Sequence, residues 1–153
     1  MSVVASWQRL QRRADAQRVP RPVDGEPGLF MVDATWGQIA PMELAPGVRT
    51  VGELEVIERC ERGMRLIDTR PREAFERETI SGSLNLSWHD AEALVVEAPE
   101  GPAIYFCNGP QCSATPAAVQ YLRDAGRAPA SILYYRGGLH DWITLGLPVE
   151  PGR

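Results

Sequence analysis

The sequence contains no lysine, so all 16 of its basic residues are arginines. A compositional bias is a simpler interpretation of this than selection for the fork-shaped donors of arginine. Acidic residues number 20, and the net charge is −4. Nucleic-acid binding relies on clustered cations that such a balance does not supply. We therefore expect small molecules or proteins as partners, and no nucleic acid.

Cysteine is scarce as well, with three residues at Cys60, Cys107 and Cys112. An odd and low count does not fit a secreted scaffold held together by disulfides, and a reducing cytoplasm fits better. The sequence also lacks an apolar run as long as a signal-peptide core or a membrane span. These absences predict a soluble cytoplasmic protein with no membrane partner.

The length of 153 residues and the hydrophobic content of 44% predict a single compact domain. We expect an N-terminal arm over residues 1–45, with an amphipathic helix at 6–18 and extended chain after it, and an α/β domain over 46–153. Residues 1–26 carry five arginines and three acids, a net +2, which leaves −6 for the rest. The arm helix therefore packs on its own acidic domain or docks to a partner protein or a second copy.

From about residue 48, short β-rich runs alternate with helical stretches, a pattern typical of βαβ units and a parallel sheet. Strands are predicted at VRTV (48–51), RLIDT (65–69), SLNLS (83–87), AIYFC (103–107) and SILYYR (131–136). Helices are predicted at residues 51–63, 71–78, 89–97, 113–126 and 139–146. Upstream, FMVDATW (30–36) is predicted to be a short strand or an extended wrap.

Residues 104–113 read IYFCNGPQCS, which places two thiols at the ends of a short loop. Cys107 follows a buried strand, at the end where open α/β sheets bind ligands, and Ser113 is predicted to cap the next helix. Loop N–H groups and the positive end of the helix dipole stabilise a thiolate and lower a cysteine pKa. Cys107 is therefore predicted to be a nucleophile, provided that it faces these amides and is not entombed.

Other interpretations of the thiols compete with this one. A metal site is disfavoured, because the Cys-x4-Cys spacing supplies two ligands and only His89 and His140 are available elsewhere. A redox pair of Cys107 and Cys112 stays open, since a disulfide needs their Cα atoms to come within about 7 Å. Inert burial also stays open, and it is the expected state of Cys60.

Four segments in the right order resemble the single-domain rhodanese family of sulfurtransferases, over about residues 48–150. LIDTRPREAF resembles the D-x-R strand end of the family and the helix that follows it. ETISGSLNLS resembles the segment H-I-P-G-A-x-N, with agreement at Ile80, Gly82 and Asn85. FCNGPQCSATPAAVQYL resembles the active-site loop and its helix. The closing motif G-G-x-x-x-W-x-x-x-G-x-P is matched at Gly137, Gly138, Trp142, Gly146 and Pro148.

This resemblance implies an α/β fold with a five-stranded, mainly parallel sheet and helices on both faces. It also implies that Cys107 is the nucleophile, inside a backbone cradle made by Asn108, Gly109, Pro110, Gln111, Cys112 and Ser113. Cys112 departs from the family, whose loop usually closes with arginine or a small polar residue. Because the loop carries no formal charge, Arg136 and Arg70 are the cations predicted to serve the mouth of the pocket.

The chemistry implied is a two-step transfer of a sulfane sulfur through a Cys107 persulfide, with no metal or organic cofactor. The donor is thiosulfate or a low-molecular-weight persulfide, and the acceptor is cyanide or a thiol. A phosphatase on a similar fold needs Cys-x5-Arg, and Ser113 stands where that arginine would be. A dithiol switch of Cys107 and Cys112, or a non-catalytic binding module, are the alternatives.

Overall fold

The computed structural model describes residues 19–31 and 39–153 of the chain. The strands of this part are β1 (Arg21–Pro22), β2 (Phe30–Met31), β3 (Arg49–Val51), β4 (Arg65–Asp68), β5 (Thr79–Ile80), β6 (Leu84–Asn85), β7 (Ala103–Phe106), β8 (Ile132–Tyr135) and β9 (Val149–Glu150). Its helices are α1 (Glu53–Glu61), α2 (Arg72–Arg77), α3 (Ala91–Glu97), α4 (Ala114–Asp124) and α5 (Gly138–Thr144), with a 3₁₀ turn at Pro129–Ser131.

A central sheet of five strands runs in the order β3–β8–β7–β4–β6. Each neighbouring pair in it is parallel, as expected when helices connect consecutive strands. All five predicted strands lie in this sheet, so the predicted fold class is confirmed. The sheet order puts β7, which ends directly before Cys107, at its centre.

The apolar side chains of β7 alternate between the two faces of the sheet, as the two-residue period of a strand requires. On one face, Tyr105 belongs to a core cluster that includes Leu94 of α3 and Leu122 of α4. On the other face, Phe106 belongs to a cluster that includes Val56 of α1 and Trp142 of α5. Helices thus cover both faces, which explains why the strand reads as a continuous apolar run.

The helix ends follow ordinary capping chemistry at two places. The carboxylate of Asp90 accepts a hydrogen bond of 3.0 Å from the Ala93 amide and caps α3. Gly126, predicted to end the fourth helix, adopts a φ of +88° just after α4, a conformation that favours glycine. No helix within residues 19–31 and 39–153 is long and apolar enough to cross a membrane.

The described part of the N-terminal arm contributes to the core. β1 and β2 form a small antiparallel pair, and Val19 and Ala45 are buried. Ala45 belongs to the same core cluster as α3 and α4. The predicted helix at 6–18 lies outside the described residues, as does most of the predicted segment 30–36, of which β2 is the described beginning. The division of the chain at residue 45 stays a prediction.

Substitution of Leu122 by alanine is expected to lower the free energy of unfolding by about 2–5 kcal/mol. Leu122 is fully buried between α4 and the sheet, so truncation leaves a cavity. The matched control is Leu54→Ala on α1, because Leu54 is 75% exposed. Urea unfolding of both variants measures the difference. Equal losses would contradict the assignment of α4 as the helix that closes this face.

Candidate active site

Two cysteine sulfurs lie at the N-terminus of α4. The Cys107 sulfur accepts a hydrogen bond of 3.4 Å from the Thr115 amide, and the Cys112 sulfur accepts one of 3.5 Å from the Ala114 amide. Ser113 occupies the N-cap position, but its side chain makes no capping hydrogen bond. The sulfurs therefore accept from the first two amides of the helix, of which that of Thr115 usually bonds to a capping oxygen, and both lie where the helix dipole favours negative charge.

The two sulfurs also share a hydrogen bond. The thiol of Cys112 donates to the Cys107 sulfur. Burial disfavours the Cys107 thiolate, but hydrogen bonds from Cys112, Thr115 and Gly109 lower its pKa to about 7. The same shared bond, together with burial, raises the pKa of Cys112 well above its ordinary value. Of the two thiols, Cys107 is therefore the first to lose its proton as the pH rises, and Cys112 keeps its proton.

A pair of buried threonine hydroxyls lies behind Cys107. The Thr69 hydroxyl donates to the Phe106 carbonyl at 3.0 Å, and the Thr69 and Thr115 oxygens are 2.9 Å apart. The Thr115 side chain is also one of the donors that lower the Cys107 pKa. These threonines were not predicted as site residues, because Thr69 was assigned only to a strand end and Thr115 only to a helix.

Arg70 connects the end of β4 to the loop. Its guanidinium is buried and holds the Asp68 carboxylate with bonds of 3.0 Å from Nε and 2.8 Å from Nη2. Its Nη1 donates to the Asn108 side-chain oxygen at 3.2 Å. Burial disfavours the charge of Arg70, but Asp68 and the two cysteines raise its pKa above the ordinary value. The D-x-R motif in the sequence contained this ion pair, although only the arginine was assigned to the site.

A cleft of about 590 Å³ opens beside the loop. Its floor includes Cys112 and Asn108, next to Arg70. Two arginines and two glutamates are among its lining residues, at Arg21, Arg77, Glu73 and Glu78, and prolines, Trp88 and His89 complete much of the lining. Of the two thiols of the loop, Cys112 lines this cleft with an exposure of 4%, whereas Cys107 is not among the lining residues and is 1% exposed.

Segments of the N-terminal arm also bind the loop through hydrogen bonds. The Ala40 amide donates to the Pro110 carbonyl at 2.7 Å, and the Gln111 side chain donates to the Val19 carbonyl at 3.4 Å. Arg136, predicted to serve the mouth of the pocket, donates from Nε to the Ala40 carbonyl at 2.9 Å. The structure thus places Arg136 as an anchor of the arm and outside the residues that line the cleft.

The N-terminus of α5 holds the loop as well. The Leu139 amide donates to the Cys107 carbonyl at 3.0 Å, and the His140 amide donates to the Asn108 carbonyl at 2.8 Å. Gly138 adopts a φ of +62°, and a side chain there would overlap the backbone of Cys107 and Asn108. This close approach explains the second glycine of the pair in the closing motif.

As a nucleophile, Cys107 was required to face the loop amides and to be accessible. It meets the first requirement and not the second. Cys107 faces the amides of Thr115 and Gly109, as required. It is nevertheless buried, so a sulfur donor reaches it only after a movement of the arm or of the loop. The remaining predicted cradle residues, Asn108 to Ser113, form the turn around the two sulfurs, and within the described residues no group of three or more potential ligands could hold a metal ion.

The chain is similar to a known protein family and to a curated protein. A family model described as the rhodanese-like domain matches residues 54–145. An HTH-type transcriptional regulator of Mycobacterium tuberculosis is 32% identical over 100 residues, which are 64% of this chain and 43% of that protein. The chain therefore spans less than half the length of that curated relative.

Solved structures resemble the fold at lower identity. A rhodanese-like domain from Anabaena is 23% identical, with a TM-score of 0.57 over 68% of this chain and 79% of that one. A human single-domain sulfurtransferase is 24% identical, with a TM-score of 0.53 over 63% of this chain and 96% of that one. These likenesses concern the fold.

Substitution of Cys112 by alanine is expected to raise the pKa of Cys107 above about 7, because the thiolate loses the donated hydrogen bond. Cys112→Ser keeps a donor and should raise the pKa less. The measurement is the pH dependence of thiolate absorbance, taken as the difference from Cys107→Ser. Cys60→Ala is the control, since Cys60 lies on α1. A midpoint that stays at about 7 in Cys112→Ala would contradict the shared proton.

Substitution of Arg136 by glutamine is expected to make Cys107 more accessible, because the Ala40 carbonyl loses its bond to the guanidinium. One lost hydrogen bond of about 1 kcal/mol corresponds to an increase of about fivefold in the open fraction. The rate of Cys107 alkylation by a small neutral reagent, followed by peptide mass spectrometry, measures it. The control is Arg72→Gln, which breaks an exposed pair with Glu76. Equal alkylation rates in Arg136→Gln and Arg72→Gln would contradict the assignment of Arg136 as an anchor of the arm.

Proposed function

Because the chain belongs to the rhodanese-like domain family, we propose that it is a sulfurtransferase in which Cys107 carries the transferred sulfur. The observation that supports this most directly is the state of the two thiols. Cys112 holds the proton and Cys107 the charge, so the thiolate is available near neutral pH. A thiolate, and not a thiol, is the attacking species in sulfur chemistry.

The reaction has two steps. The Cys107 thiolate attacks the outer sulfur of thiosulfate, a new S–S bond forms to Cys107, the S–S bond of thiosulfate breaks, and sulfite leaves with the electron pair. A nucleophilic acceptor, cyanide or a thiol, then attacks the outer sulfur and restores the Cys107 thiolate. The charge of the persulfide is held by the same amides that hold the thiolate.

The charges of the cleft bear on the choice of donor. Arg70 is already paired with Asp68, with side-chain exposures of 4% and 0%. The remaining cleft arginines, Arg21 and Arg77, share the cleft with Glu73 and Glu78. A dianion such as thiosulfate therefore gains little net attraction there, whereas an organic persulfide that carries both an amino and a carboxyl group finds charges of both signs. We favour a low-molecular-weight persulfide of this kind as donor over thiosulfate.

A dithiol switch is the second candidate, favoured by the hydrogen bond between the two thiols. It needs an oxidant, forms a disulfide without any sulfur donor, and depends equally on Cys107 and Cys112. Sulfurtransfer needs Cys107 alone for the loading step. The two candidates therefore differ in what a Cys112 variant retains.

Incubation with thiosulfate or a glutathione persulfide is expected to add one sulfur atom to Cys107, detected by intact-protein and peptide mass spectrometry. Cys107→Ser should lose the adduct and reduce cyanide-dependent turnover to background. Cys60→Ser is the matched control and should behave like the unaltered protein, because the pKa of Cys60 is raised by burial. Absence of the adduct, or turnover that survives in Cys107→Ser, would refute the proposal.

A further inference from the structure

The proposed reaction uses Cys107 and gives no chemical role to Cys112. Cys112 lines the cleft, whereas Cys107 is not among its lining residues. The Cys112 sulfur has its own backbone donors, the Ala114 amide at 3.5 Å and the Asn108 amide. A buried thiol that only packs has no need of two amides. The two amides favour a negative charge on the Cys112 sulfur, and the neighbouring Cys107 and burial oppose it.

We propose that Cys112 is a resolving nucleophile, which expels the sulfur bound to Cys107 as hydrosulfide and closes a Cys107–Cys112 disulfide. This inference rests on the proposed function, since it needs a persulfide on Cys107. It assigns the chain a product, hydrosulfide, that differs from the sulfur adduct of cyanide or of an external thiol.

The step balances within the site. The Cys112 sulfur attacks the inner sulfur of the Cys107 persulfide, an S–S bond forms between the two cysteines, and the bond to the outer sulfur breaks. The outer sulfur takes the electron pair of that bond and the proton of Cys112, and it leaves as HS⁻. The sulfane sulfur is reduced by two electrons, and the two cysteines together are oxidised by two. An external dithiol reductant must then restore both thiols.

The contacts in the site also set the order of events. Before loading, the Cys112 proton is held by the Cys107 thiolate, which keeps Cys112 unreactive. Once Cys107 bears a second sulfur, its inner sulfur is no longer an anion, so that hydrogen bond and the repulsion between the two sulfurs are both weakened. The amides of Ala114 and Asn108 remain in place. Cys112 therefore becomes a better nucleophile after Cys107 is loaded.

The geometry suits both the closure and the release. The two sulfurs contact the consecutive amides of Ala114 and Thr115, and the Cys107 sulfur lies 3.7 Å from the Cys112 carbonyl oxygen, so the S–S bond of about 2.05 Å closes within one short loop. Because Cys112 lines the cleft, hydrosulfide leaves into it. Cys112 is 4% exposed and Cys107 1%, so a dithiol reductant reaches the disulfide from the cleft only after the movement that also admits the sulfur donor.

A single-turnover experiment tests this proposal. The reduced full-length chain is mixed with a stoichiometric amount of glutathione persulfide in oxygen-free buffer, without cyanide, free thiol or other reductant. We expect about one hydrosulfide per chain and a Cys107–Cys112 disulfide in the unaltered protein. Cys112→Ser should keep one added sulfur on Cys107 and release no hydrosulfide. Cys60→Ser should match the unaltered protein, and circular dichroism checks that each variant is folded.

Each of the other outcomes decides against the inference in a recognisable way. A stable persulfide on Cys107 of the unaltered protein, with no hydrosulfide, overturns the resolving role and leaves the proposed function standing. A Cys107–Cys112 disulfide that forms only after an oxidant such as peroxide is added, with no sulfur acquired from the persulfide, indicates the dithiol switch instead. Failure of both the unaltered protein and Cys112→Ser to acquire sulfur overturns the proposed function and the inference together. The stoichiometry in the unaltered protein decides the matter even if Cys112→Ser does not fold.

Discussion

One shared proton between two sulfurs at the start of α4 determines the chemistry of this site. The helix presents one amide to each sulfur, so the backbone alone does not say which of the two is charged. Each sulfur has a second amide, that of Gly109 for Cys107 and that of Asn108 for Cys112, so the asymmetry comes from the Thr115 side chain and the Cys112 thiol, which both stabilise the charge on Cys107. The lowered pKa of Cys107 and the raised pKa of Cys112 therefore follow from the same interaction between the two thiols.

Burial acts against this arrangement and is overcome by direct contacts. Removing a thiolate from water disfavours the charge, and this is the largest single effect on Cys107. Its pKa nevertheless falls from 9.0 to about 7, which corresponds to about 3 kcal/mol in favour of the thiolate. Hydrogen bonds gain strength in the same low-dielectric interior that penalises the charge. A second cysteine in the loop thus supplies by a hydrogen bond what an arginine would supply by its charge.

The sequence contained most of the fold and part of the site. Strands such as β7 were predictable because both faces of the sheet are covered, which leaves a short apolar run between turn residues. The loop was predictable because it joins a strand end to a helix start. The bonds from Gln111 to Val19 and from Arg136 to Ala40 were not, since they join residues 92 and 96 positions apart. The hydrogen bond between the two thiols was missed for another reason. A spacing of five residues indicates that two side chains can lie close together, but it does not indicate which of them keeps the proton.

The energies of the contacts around the loop indicate where a donor enters. The arm touches the loop through the Ala40 amide and the Gln111 side chain, and a single hydrogen bond contributes about 1 kcal/mol. The Arg70–Asp68 pair is buried, and breaking such a pair costs about 3–5 kcal/mol. The total stability of a domain is about 5–15 kcal/mol. Loss of the hydrogen bonds between arm and loop is small enough to occur as a local fluctuation, whereas breaking the Arg70–Asp68 pair is not. Because Pro20, Arg21 and Pro22 of the arm also line the cleft, movement of the arm is expected to open the cleft toward Cys107, while the Arg70–Asp68 pair keeps the loop in the shape that holds both sulfurs.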